Sequence, residues 1–302
     1  MSVFQKIKYT AARSRLRAPL TWIQHRGLED TDVFLAAFER SGSTWLRFAL
    51  SEILSGQSAQ FTSVNTIIPE LFLHRQGRLV LGNQARLIKT HEPYRREYRR
   101  AIYLVRDVRD VLLSNYVREK TMGLTAHVCS DDSLDQYIRH FLSGKTMRYG
   151  SWQNHVESWL NSSLASRGEL LVIRYEDLRA NTETTLHAIL QFLKVGATTE
   201  QVRQAINNNS LEKMRLKEDL VKADRVASEK DVLLRFHKNP CEDARFVRSG
   251  SIAGWRGRMT DQQLELIDRH AGSVLTRCGY PLAFTGSSNG EIDTASTVLT
   301  AH

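Results

Sequence analysis

Residues 33–54 read VFLAAFERSGSTWLRFALSEIL. The first six, 33–38, are an unbroken apolar run with the length and content of a buried strand. Residues 39–44 are short and polar and hold Arg40, Ser41, Gly42, Ser43 and Thr44. Residues 45–54 bring apolar side chains back at helical spacing: Trp45, Phe48, Ala49 and Ile53. A strand, a tight loop and a helix in that order aim backbone N–H groups at an anion. Gly42 allows a turn and a close backbone approach, Ser43 and Thr44 add hydroxyl donors, and Arg40 adds a planar cationic fork. The Walker pattern GxxxxGK[ST] is absent, which disfavours an ordinary NTPase. The plainer alternative is a strand-to-helix turn capped by a Ser or Thr.

Three further strands follow this unit: 86–90 (RLIKT), 101–105 (AIYLV) and 169–174 (ELLVIR). Helices are expected after Asp107 and over 132–141, 149–160, 182–193, 199–207 and 260–277. Strands alternating with helices predict an α/β fold: a central, mostly parallel sheet with helices on both faces. The second strand ends in Lys89 and His91 before Pro93, at the strand's carboxyl end, where open α/β sheets carry their sites. The third is closed by Arg106, and Ser114 lies about two turns along the following helix, so the pair brackets a second anion or is simply a surface Arg and a solvated Ser. Residues 61–70 and 119–133 read as loops, the former with a helical turn. Residues 213–243, dense in both charges, read as a mobile lid or loop. The chain divides into a basic segment 1–30, a domain 31–283 and a disordered tail 284–302.

The chain has 302 residues and a formal net charge of +9, which suits an anionic ligand, a nucleic acid or an acidic surface. Cys129, Cys241 and Cys278 have no metal-ligand spacing and fit a reduced, cytoplasmic setting. Residues 1–27 carry Lys6, Lys8, Arg13, Arg15, Arg17 and Arg26 with no acid, interleaved with Trp22 and Ile23. Peripheral contact with anionic lipid is one reading of this segment. The irregular apolar spacing favours the other, a surface helix covering the domain edge. No helix-turn-helix, zinc-finger or RNP-like pattern supports a nucleic-acid partner.

Six segments in one order resemble the sulfotransferases that use 3′-phosphoadenosine 5′-phosphosulfate (PAPS). ERSGSTW resembles their 5′-phosphosulfate loop and LIKTHEP their catalytic-histidine segment. YLVRDVRDVLLSNY resembles the 3′-phosphate strand and helix. SGKTMRYGSWQNHVESWL, IRYEDL and FVRSGSIAGW are similar to their GSW, YEDL and RKGxxGDW segments. The resemblance spans roughly 31–280 and is to the cytosolic type, in what reads as a bacterial-type member. It implies a P-loop-like nucleotide-binding core and transfer of the sulfuryl group to a hydroxyl of a small-molecule, sugar or lipid-linked acceptor, giving adenosine 3′,5′-bisphosphate, with no metal. It implies that Arg40, Ser41, Gly42, Ser43 and Thr44 hold the 5′-phosphosulfate, that Trp45 stacks on adenine and that Tyr175 lies beside it. Arg106, Ser114, Arg248, Ser249 and Gly250 would hold the 3′-phosphate. His91 would act as base, with Lys89 and Arg40 stabilising charge on the transferring group.

The family's loop lysine is Arg40, which keeps the charge but cannot donate a proton. Glu39 replaces the usual Pro, and Ser249 replaces a basic residue. The dimerisation pattern KxxxTVxxxE reads Arg256, Thr260, Asp261 and Glu265, with Asp for Val, which leaves the oligomeric state open. The alternative function is a non-catalytic module that binds the bisphosphate. Retention of both Lys89 and His91 argues for the enzyme.

Overall fold

The computed structural model describes residues 17–122, 134–223, 245, 247, 250–284 and 299–300. Its centre is a five-stranded sheet in the order β2-β1-β3-β4-β5, where β1 is Val33–Ala37, β2 Leu87–Thr90, β3 Arg100–Val105, β4 Leu170–Arg174 and β5 Leu299–Thr300. The first four run parallel and β5 runs antiparallel to β4. β5 comes from the segment expected to be a disordered tail; the rest of that tail, from 285 on, lies outside the described residues.

Side-chain alternation along β1 splits the core in two. Phe34, Ala36 and Phe38 join Ile88, Tyr103 and Val105 on one face. Val33, Leu35 and Ala37 join Leu87, Ile102 and Leu104 on the other. Both faces are covered, which is why these strands read as continuous apolar runs. The first face packs on helices α1 (Val108–Met122), α2 (Leu134–Leu142), α3 (Trp152–Leu160) and α4 (Asp261–Arg277) through residues such as Val111, Ile138, Trp152, Trp159 and Ile267. The second packs on α5 (Ser43–Ser55) and α6 (Thr182–Leu193) through Leu46, Leu50, Leu186 and Leu190. The α4 start is a capping box in which Thr260 accepts from the Gln263 N–H, and Asp261 sits in the first turn, where the helix dipole favours an anion.

Two loop expectations are corrected. The α1 helix continues through Glu119 to Met122 rather than giving way to a loop at 119. The region 213–243 opens not as a loop but as helix α7, Leu211–Ala223. Its buried residues, Met214, Lys217, Glu218 and Val221, follow helical spacing. Met214 and Val221 pack with Phe48 and Phe61. Two of the four inward positions are charged, so apolar periodicity could not reveal the helix.

A further helix, Arg17–His25, closes one edge of the domain: Thr21 is buried and the His25 ring bonds to Tyr98 Oη at 2.8 Å. Trp22 and Ile23 on it face solvent. Residues 1–16 lie outside the described residues. Among the described residues no helix is long and apolar enough to cross a membrane.

Candidate active site

Register places the site. Leu35 pairs with Lys89, Ala37 with Leu104, and Val105 with Arg174, so the four parallel strands end level. The residues just past those ends are the loop from 39, His91, Arg106 and Tyr175, and all of them line one cavity of about 370 Å³. Arg40, Gly42, Ser43, Thr44, Trp45, Lys89, Ser114 and Gly250 line the same cavity. Ser41 does not; it is fully buried under the loop, with its hydroxyl unpartnered among the described residues. Arg248 and Ser249 lie outside the described residues.

The loop is held in a curled backbone. Arg40 has φ 71° and Gly42 φ 88°, both in the left-handed region. Arg106 Nη1 donates to the Arg40 carbonyl at 3.1 Å, Arg40 Nε donates to Ser114 Oγ at 3.1 Å, and no side chain caps the helix that starts at Ser43. A Cβ at Gly42 would strike the ring of Tyr175, whose hydroxyl donates to the Gly250 carbonyl at 2.9 Å. Gly42 is therefore fixed twice, by φ and by the ring. Gly42→Ala is expected to cost about 1–2 kcal/mol for the backbone alone, with displacement of Tyr175 added to it. An unchanged urea midpoint would show that the loop refits freely.

The imidazole of His91 has a defined tautomer. The Ala37 carbonyl can only accept, so Nδ1, 2.7 Å from it, carries the proton. Nε2 is then the lone pair, and Lys89 Nζ reaches it at 2.8 Å. The same ammonium donates to Glu70 Oε1 at 2.8 Å, which also accepts from Arg47 Nη1 at 3.2 Å. Burial, then the Lys89 charge, hold the His91 pKa down at about 4, so the ring is neutral at pH 7. Burial alone would raise the Glu70 pKa, but Lys89 and Arg47 outweigh it and hold the carboxyl at about 2. Glu39 also lines the cavity, and its charge favours the protonated forms of Lys89 and His91. That is the electrostatic setting of the acid found where the family resemblance expects Pro.

The GSW segment supports His91 from behind. His155, on α3, donates from Nε2 to the His91 carbonyl at 3.0 Å and accepts at Nδ1 from Tyr103 Oη at 2.9 Å. Burial pulls its pKa down to about 3, so it stays neutral. Trp159 Nε1 donates to the Glu92 carbonyl at 3.2 Å.

Five charged lining residues were missed from sequence: Glu70, Asp110, Arg118, Arg179 and Arg258. Arg118 stands four residues after Ser114 and Arg179 four after Tyr175, spacings that put each pair on one helix face. Arg179 also lies over the Trp45 ring at 5.5 Å. Nothing in the sequence signals Glu70 or Arg258. Six described cations line the cavity, Arg40, Lys89, Arg106, Arg118, Arg179 and Arg258, against the acids Glu39, Glu70 and Asp110.

Cations gathered at a phosphate-type loop around a neutral imidazole define an enzyme that handles an anionic group-transfer donor. A family model for the sulfotransferase domain matches residues 30–279, and the chain belongs to the sulfotransferase family, PAPS-dependent enzymes that move a sulfuryl group. It is similar to the 3-alpha-hydroxysteroid sulfotransferase of Cavia porcellus, 28% identical over 265 residues that cover 84% of this chain and 86% of that protein. It is similar also to sulfotransferase 1A1 of Rattus norvegicus, 24% identical over 265 residues covering 82% and 86%. Among solved structures, mouse sulfotransferase SULT7A1 complexed with PAP has a TM-score of 0.61 at 20% identity, covering 86% of this chain and 91% of that one. Retinol dehydratase in complex with androsterone and the inactive cofactor PAP gives 0.62 at 17% identity, covering 87% and 85%. At these identities the structures speak for the fold. The two sequence relatives are mammalian and lend no support to the bacterial-type expectation.

Proposed function

We propose that this one cavity holds the donor nucleotide from end to end, and that His91 is the base that takes the proton from a hydroxyl of a small acceptor. The observation that carries the reading is that Arg40 and residues 42–45 of the loop, the pair Lys89 and His91, and the pair Arg106 and Ser114 line the same cavity, although they come from different segments of the chain. The residues present fit a polyanion. Cations outnumber acids on the lining, and Arg106 Nε is buried with no hydrogen-bond partner among the described residues. PAPS, when bound, would supply the sulfuryl group, with adenosine 3′,5′-bisphosphate as the leaving group.

In this reading the loop amides with Ser43 and Thr44 bind the 5′ end, Arg106 and Ser114 the 3′-phosphate, and Trp45 and Tyr175 flank the base ring. Lys89 already donates to Glu70, and its bond to His91 Nε2 occupies the lone pair a base needs. With the donor bound, Lys89 would turn from His91 to the sulfuryl group, and Nε2 would be free to take the acceptor proton. Arg40 stabilises charge on the bridging oxygen without giving up a proton. Similarity to a hydroxysteroid sulfotransferase supports a small hydroxyl-bearing acceptor.

The test is transfer of labelled sulfate from PAPS across phenols, sterols, sugars and glycolipids. At least one hydroxyl acceptor is expected to become labelled, with adenosine 3′,5′-bisphosphate released in equal amount. Tight bisphosphate binding with no acceptor labelled would favour the binding module instead.

A further inference from the structure

Lys217 and Glu218 are adjacent, opposite in charge and both buried on α7. Burying a charge is costly unless it is well paired. Each has polar partners, and in a different direction: Lys217 an amide, Glu218 an ammonium.

Lys217 serves the first lip of the cavity. Its Nζ donates to Asn209 Oδ1 at 2.8 Å, and Asn209 Nδ2 donates to Glu52 Oε2 at 3.0 Å. Asn208 Nδ2 donates to the other Glu52 oxygen at 2.6 Å. The Asn209 carbonyl accepts the indole N–H of Trp45 at 2.7 Å. The network thus fixes the residue that sets the plane of the Trp45 wall.

Glu218 serves the last lip. Its carboxylate pairs with Lys222, and Oε2 accepts the main-chain N–H of Val247 at 2.9 Å. Arg215 Nε donates to the Val247 carbonyl at 3.4 Å, and Arg245 pairs with Asp219 at 3.0 Å. Val247, Gly250 and Ser251 line the cavity, and Ser251 receives Arg106 Nη2 on its carbonyl at 2.7 Å. One helix therefore braces Trp45 on one side and the chain at 247 on the other. Its own Leu211 and Met214 face the same cavity.

We propose that Glu218 is a positioning residue for the donor nucleotide: its carboxylate anchors the main chain at Val247, and so sets the late lip at the distance from Trp45 that the nucleotide requires. The proposal rests on the reading that the nucleotide spans this cavity. An anchor made through a hydrogen-bond acceptor has a distinctive consequence. Glutamine at 218 keeps an oxygen for the Val247 N–H, whereas alanine leaves that part-buried amide without it.

The experiment is calorimetric titration of adenosine 3′,5′-bisphosphate into the full chain and its Glu218→Ala and Glu218→Gln variants, with steady-state kinetics and a thermal melt on each. Glu218→Ala is expected to weaken bisphosphate binding about tenfold and raise KM for PAPS to match, with acceptor KM and kcat at saturating PAPS held within about twofold. Glu218→Gln is expected to recover most of that loss. A Glu218→Ala variant that melts lower but binds the bisphosphate as the parent does would overturn the proposal, and so would a Glu218→Gln variant as weak as Glu218→Ala. Absence of binding by the parent chain would remove the cavity reading and this inference together; parent binding that Glu218→Ala leaves unchanged removes this inference alone.

Discussion

Replacing His91 by alanine is expected to lower kcat by about 10²–10⁴-fold, the usual contribution of a positioned base, while the bisphosphate still binds and the melt is unchanged. The expectation follows from geometry. His91 lies just beyond the end of β2, with Nδ1 tied to the Ala37 carbonyl and its own carbonyl tied to His155. The first bond fixes the tautomer and leaves the lone pair on Nε2, where Lys89 meets it; the second holds the backbone that carries the ring. The ring is also neutral at pH 7 because burial and Lys89 disfavour its cation. Removing it deletes the lone pair and leaves the cationic lining in place. Turnover undiminished in this variant, measured at saturating PAPS, would strip His91 of the role.

The second large effect is on the fold. Glu70→Ala is expected to destabilise the protein by about 3–5 kcal/mol, the range for removing one partner of a buried ion pair. Glu70 Oε1 faces both Lys89 and Arg47, each almost wholly buried, and alanine would leave two cations without their shared anion. Glu70→Gln keeps an acceptor and should lose less. The same carboxyl makes stability depend on acid. Its folded pKa of about 2 lies below the reference 4.5, so its contribution is present above pH 4.5 and disappears as pH falls towards 2. That difference corresponds to about 3 kcal/mol. Urea unfolding at pH 7 and pH 3 reads it; a Glu70→Gln variant with the same pH dependence as the parent would assign the effect to other carboxyls.

What could be read from the sequence follows from burial. The four parallel strands are covered on both faces, so they stand out as apolar runs, and the polar residues that interrupt each run mark its carboxyl end. That is enough to find the loop at 40–45, Lys89, His91 and Arg106. Glu70 was hidden because it comes from an irregular stretch and meets β2 through a single parallel bridge to Lys89, a pairing with no periodic signature. Helix α7 was hidden for the opposite reason: its inward face is regular but half charged. The role of the GSW segment could not be seen either, since His155 acts through a backbone carbonyl and not through any residue type its motif predicts.

The pairing of Lys89 has a practical corollary for chemical labelling. An amine that is 2% exposed and already committed to a carboxylate and an imidazole offers nothing to an acylating probe. Amine-directed reagents that map surface lysines should leave this one unmarked in the folded enzyme. Activity lost during such treatment therefore points to a lysine elsewhere on the surface, and protection by nucleotide against that loss would not locate Lys89.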